Sequence, residues 1–80
     1  MNNTENTIPA DVQRYIDLAF TYHAPHGDQP EKYETIRATA RLLAKIIAAN
    51  CPQSAEMMYA LHYLQMATMC ANASIAMHGE

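Results

Sequence analysis

The chain has 80 residues and a net charge of −3, with two cysteines and no tryptophan. It is therefore one small domain, and its acidity argues against a protein that coats nucleic acid through its whole surface. A small anionic ligand held by a few local cations remains compatible with that charge.

Half the residues are hydrophobic, but many are Ala, Met and Tyr. A single copy is expected to bury only a thin core, and domains this small usually need a metal, disulfides or partner chains for stability. Cys51 and Cys70 do not make a disulfide framework. The start, MNNTENTIPADVQ, has no basic segment leading into an apolar run, so no signal peptide is expected. No apolar run reaches the roughly 18–20 residues of a membrane span. The expected location is the cytoplasm, with reduced thiols, and partner chains become the expected source of the missing stability.

Residues 1–8 are read as a flexible N-terminus and residues 9–78 as a single helical-hairpin domain. Pro9 and Asp11 mark a helix start, and Val12, Tyr15, Ile16, Ala19 and Phe20 continue with helical spacing, which predicts a short amphipathic helix over 9–22. It should end at Tyr22 and His23, because Pro25 pushes Ala24 out of the helical region. APHGDQP, residues 24–30, is a loop. Asp28 followed by Glu31 resembles a capping box, with Pro30 tolerated in the first turn.

A long helix then runs from Glu31 to Asn50. Tyr33, Ile36, Ala40, Leu43 and Ile47 form its apolar stripe, and Arg37, Arg41 and Lys45 form a basic row along another edge. The N-terminal segment is expected to cover this helix. Cys51 and Pro52 break it, and Ser54 is positioned to cap the next helix, 55–77. There Met57, Leu61, Leu64, Thr68, Ala71 and Ile75 make a heptad-like seam. The short break predicts an antiparallel hairpin about 30 Å long. The fold class is all-α. The small residues of CANASIA, 70–76, suggest tight packing between protomers, and Asn72 among them needs a polar partner if buried.

Few residues carry obvious chemistry. His23, His26, His62 and His78 lack metal-ligand spacing, and surface or capping roles fit them better; no metal site and no cofactor is expected. Cys70 reads as a small buried hydrophobe, and neither cysteine has the paired histidine of a nucleophile. Glu31, Glu34 and Glu56 all read as first-turn carboxylates, which the helix dipole explains. No catalytic residue is assigned. Tyr22, Arg37 and Thr39 form the candidate ligand-binding set: an aromatic face can stack a base, a guanidinium can chelate a phosphate, and a hydroxyl can add a hydrogen bond. On the residues alone the alternatives stay open. Tyr22 can pack the hairpin, and Arg37 can pair with Glu34 one turn back.

The strings Tyr22-His23-Ala24-Pro25, Tyr33-Glu34-Thr35-Ile36-Arg37, Cys51-Pro52 with Ser54 and Glu56, and Ala71-Asn72-Ala73-Ser74-Ile75-Ala76 resemble a family of small phage proteins. These are the anti-CBASS sponges, whose helical hairpin is shared with a sponge acting against Thoeris defence. The resemblance covers roughly residues 15–77. It implies a homohexamer without catalytic activity, working in the host bacterial cytoplasm. Such an assembly binds cyclic dinucleotides between protomers, and some members hold cyclic trinucleotides at separate sites. Removing the signal keeps the bacterial effector inactive. Carried over residue by residue, Tyr22 matches the base-stacking tyrosine, Arg37 the cation that meets the phosphates and Thr39 a polar contact. Family members often have Trp just before the Ala-Asn pair, where this chain has Cys70.

Two readings compete with the sponge. One is a protein–protein adaptor that docks through Met57, Met58, Met66, Met69 and Met77. The other is a small DNA-binding regulator, which the acidic balance and the long helices disfavour.

Overall fold

A computed structural model describes residues 7–79. It contains three helices, α1 (Ala10–Ala19), α2 (Gln29–Asn50) and α3 (Ala55–His78), and no strand among the described residues. Most of the segment expected to be a flexible N-terminus, 1–8, lies outside the described residues.

α1 begins as the sequence suggests. Pro9 sits at the cap, its carbonyl accepting the Gln13 amide at 2.9 Å, and Asp11 lies in the first turn. Its end differs from the expectation, since the helix stops at Ala19 rather than running to Tyr22. The reason is local. A continued helix would give the Leu18 carbonyl the Tyr22 amide as its partner. That carbonyl instead bonds His23 Nε2 at 2.7 Å, and the chain leaves the helix at Phe20. Tyr22 therefore sits in the loop.

α2 starts two residues earlier than the sequence suggests, at Gln29, with Pro30 in its first turn. Asp28 occupies the cap position but its side chain caps nothing. It pairs with Lys32 at 3.4 Å instead, so the capping box does not form. With the start at Gln29, Glu34 falls beyond the first turn, leaving Glu31 as the first-turn acid. The far end matches the expectation at Asn50, where the Cys51 amide closes on the Ile47 carbonyl at 2.9 Å. Pro52 follows. Ser54 then caps α3 with its Oγ, which accepts from the Met57 amide at 3.1 Å. A side-chain cap of this kind stabilises a helix by about 1 kcal/mol.

The hairpin is antiparallel, since Gln29 at the start of α2 bonds Ile75 near the end of α3. Met57, Leu61, Leu64, Thr68, Ala71 and Ile75 are all half-buried, as are Tyr33, Ile36, Ala40 and Ile47 on α2. The two apolar stripes read from periodicity therefore face each other, with Leu43 more open than its neighbours. α1 packs chiefly on α3. The expectation that the N-terminal segment covers α2 was misplaced by one helix.

Among the described residues this arrangement has no apolar interior. The molecule measures 55 × 35 × 16 Å, and a helix with its side chains is about 10–12 Å across, so the helices lie in a single layer. The radius of gyration is 17.6 Å, against about 12 Å for a compact chain of this length. No hydrophobic residue among those described is fully buried, and Gln29 is the one buried polar residue. Among the described residues no helix is long and apolar enough to cross a membrane.

Candidate functional site

Tyr22 stands in the loop between α1 and α2 and is 83% exposed. Phe20, at the loop's start, is equally open. Apolar packing does not fix this loop. At one end His23 holds the Leu18 carbonyl. Gly27 turns the chain with φ at 58°, a left-handed conformation that a glycine adopts without the Cβ clash. At the other end the Gln29 amide donates to the His26 carbonyl at 3.0 Å, and Gln29 Oε1 accepts the His26 amide at 3.3 Å.

Arg37 lies on the exposed side of α2 and forms an ion pair with Glu34 at 2.6 Å. The pairing that the sequence left open is therefore present in the single chain. Both partners are well exposed, and a solvated pair of this kind contributes about 0–1 kcal/mol. A phosphate offering two oxygens can displace it. Arg41 and Lys45 line the same shallow groove, with Leu42 between them. The basic row thus remains one surface.

Thr39 is placed differently. It lines an apolar groove between α2 and α3, beside Leu43, Leu64 and Thr68. Two residues along a helix is a rotation of about 200°, so Arg37 and Thr39 point to nearly opposite sides of α2. Within one protomer the three candidate residues do not converge. Tyr22 is on the loop, Arg37 in the basic groove and Thr39 in the hairpin groove.

The remaining candidates settle more simply. His23 braces the loop through the Leu18 carbonyl. No group of three or more His, Cys, Asp or Glu among the described residues could hold a metal ion. Cys51 and Cys70 are both free and exposed, which corrects the reading of Cys70 as a buried hydrophobe. Cys70 follows Tyr59, Tyr63 and Met66 at four- and three-residue steps on the outward face of α3. Tyr59, Tyr63 and Met66 are exposed too, so α3 carries a second apolar stripe opposite its seam. The methionines do not share one face: Met57 is in the seam and Met77 is half-buried, whereas Met58, Met66 and Met69 are exposed. Asn72 Oδ1 is buried without a hydrogen-bond partner in the protomer, so the polar partner expected for it is not supplied there. Gln29 was missed by the sequence reading. A glutamine before a proline at a helix start gives no local sign that its partner lies 46 residues away.

These features define a class before they define a family: a thin helical hairpin with aromatic, cationic and hydroxyl groups displayed on open surfaces. Residues 13–76 match the family described as Acb2/Tad1, hairpin domain. The chain belongs to that family, the anti-CBASS cyclic oligonucleotide sponges. The match spans most of α1, the loop, α2 and nearly all of α3, and includes Tyr22, Arg37 and Thr39. Membership assigns the chain a phage anti-CBASS sponge role in general terms; the family's proteins are sponges that bind cyclic oligonucleotides rather than enzymes. No curated protein and no solved structure matches the chain.

Proposed function

We propose that this protein sequesters cyclic dinucleotides and cyclic trinucleotides without degrading them, in the cytoplasm of the infected bacterium, and so blocks CBASS signalling. Its working form is a homo-oligomer, a hexamer, built from residues 9–78 as one hairpin domain. Cyclic dinucleotides bind between protomers. The Tyr22 ring stacks on a base, the Arg37 guanidinium takes a phosphate through two parallel hydrogen bonds, and the Thr39 hydroxyl adds a further contact.

The observation that carries this reading is the opposed placement of Arg37 and Thr39 on α2. A ligand that touches both must be shared by two copies of the chain. The single-layer fold supports the same conclusion, because a second copy supplies the cover that one copy lacks. The outward stripe of Tyr59, Tyr63 and Met66 is the kind of exposed apolar surface that marks an interaction site. Symmetry then repeats Arg37 around the assembly, so an acidic protomer still presents several cationic sites. Charges more than a Debye length away, about 8 Å at physiological salt, are largely screened and oppose this little.

A thermal-shift screen of the purified chain against cyclic di- and trinucleotides tests the reading, because a ligand that binds only the folded state raises the melting temperature. Cyclic dinucleotides should raise it in the wild type and much less in Arg37→Ala. A panel that leaves the melting temperature of a folded oligomer unchanged rejects the sponge reading for this chain.

A further inference from the structure

Gln29 reverses the usual pattern of burial. It is 2% exposed in a structure with no fully buried hydrophobic residue among those described, although glutamine is ordinarily a surface residue. Its side-chain amide uses both ends. Oε1 accepts the His26 amide, and Nε2 donates to the Ile75 carbonyl at 3.3 Å. That carbonyl also accepts the Gly79 amide at 2.8 Å, which its two lone pairs allow. A side chain at Gly79 would run into the Ile75 carbonyl and Gln29 Nε2. The absence of a Cβ there leaves room for the glutamine.

We propose that Gln29 is a positioning residue for ligand binding, tying the Tyr22-bearing loop to the last turn of α3 and thereby fixing where the Tyr22 ring stands. The proposal rests on the reading of Tyr22 as the base-stacking group. The loop has two polar anchors, His23 on the Leu18 carbonyl and Gln29 on His26 and Ile75. Tyr22 lies inside the 18–23 turn that His23 closes, four residues before His26, and is exposed to solvent. Only the Gln29 anchor reaches another helix of the hairpin. Removing the side chain leaves α2 and α3 paired through their seam and the Gln29 amide still on the His26 carbonyl, but releases the loop from the last turn of α3. Tyr22 must then be ordered at the moment of binding, and that ordering lowers affinity. A glutamine that merely closed the end of the hairpin would instead alter stability with no particular link to Tyr22.

The test is calorimetric titration of the full chain with cyclic GMP–AMP, in the wild type, Gln29→Ala, Tyr22→Leu and the double variant. Gln29→Ala should bind about tenfold more weakly, the equivalent of one lost hydrogen bond of ordinary strength. In the Tyr22→Leu background the same change should cost less than about twofold, because interacting residues are non-additive. NMR of the unliganded chain gives a second readout. The Tyr22 ring signals should shift toward averaged loop values in Gln29→Ala while those of Leu61 and Leu64 stay in place. Gly79→Ala, which crowds the same contact, should reproduce both effects, and it decides the question if Gln29→Ala does not fold. Tight wild-type binding with an equal affinity loss in both backgrounds, or with Gln29→Ala and Gly79→Ala binding as the wild type does, overturns the positioning role and leaves the sponge reading standing. No heat from the wild type rejects the ligand reading and the positioning role with it.

Discussion

From Gln29 to His78 the chain is held by a repeating apolar seam, whereas from Phe20 to Asp28 it is held by single polar contacts at fixed points. The seam spreads its stabilisation over many half-buried side chains, none of them indispensable in the way a buried core residue is. The loop depends on His23 at one end and Gln29 at the other, with Gly27 making the turn between them. The hairpin should therefore lose stability in proportion to the apolar surface removed, and the loop should fail locally when one hydrogen bond is deleted. The hairpin is the scaffold, and the loop places Tyr22 upon it.

The largest effect expected is from Leu64→Asp, which puts a carboxylate into the seam. An uncompensated charge in a packed interface costs roughly 3 kcal/mol, and a single layer of helices has little to offset it. Circular dichroism should show loss of cooperative melting. Retention of a cooperative transition would mean that the seam contributes less than its burial implies. Ser54→Ala deletes the α3 cap and should lower stability by about 1 kcal/mol in thermal melts, with ligand affinity little changed because the cap is at the end of the hairpin away from the loop.

His23→Ala should behave in the opposite way. Removing its bond to the Leu18 carbonyl is worth about 0.5–1.5 kcal/mol locally. Amide exchange should quicken over residues 18–26 while the α2 and α3 amides keep their protection. Uniform loss of protection across the hairpin would show that loop and scaffold are one cooperative unit. The smallest effect belongs to Glu34→Gln. The exposed ion pair with Arg37 contributes about 0–1 kcal/mol, so the melting temperature should barely move. Phosphate binding should tighten slightly in calorimetry, because Arg37 no longer has to leave a carboxylate.

The same contrast explains how far the sequence could be read. Periodicity reports a seam directly, so the pairing of Tyr33, Ile36, Ala40 and Ile47 with the α3 stripe was legible, as were the break at Pro52 and the Ser54 cap. The end of α1 was not, because proline rules place it near Ala24 while the His23 imidazole closes it earlier. The Asp28 cap failed for a similar reason: the carboxylate prefers Lys32. Gln29 was illegible because its partner is distant in sequence and carries no side-chain signal, being the backbone carbonyl of Ile75. For the candidate site, residue chemistry and the resemblance both pointed to Tyr22, Arg37 and Thr39, and the structure supplied the opposition of Arg37 and Thr39 on α2. Helical geometry could have given that opposition in advance, since Arg37 and Thr39 are two residues apart.

Whether cyclic dinucleotides are held between copies of the chain is tested most directly by native mass spectrometry of the protein with cyclic GMP–AMP, which reads chain number and bound ligand in one ion. A shared site predicts ligand mass on multi-chain species alone, lost on Arg37→Ala even where the oligomer persists. Single chains carrying ligand, or oligomers whose ligand mass is indifferent to Arg37, would contradict it.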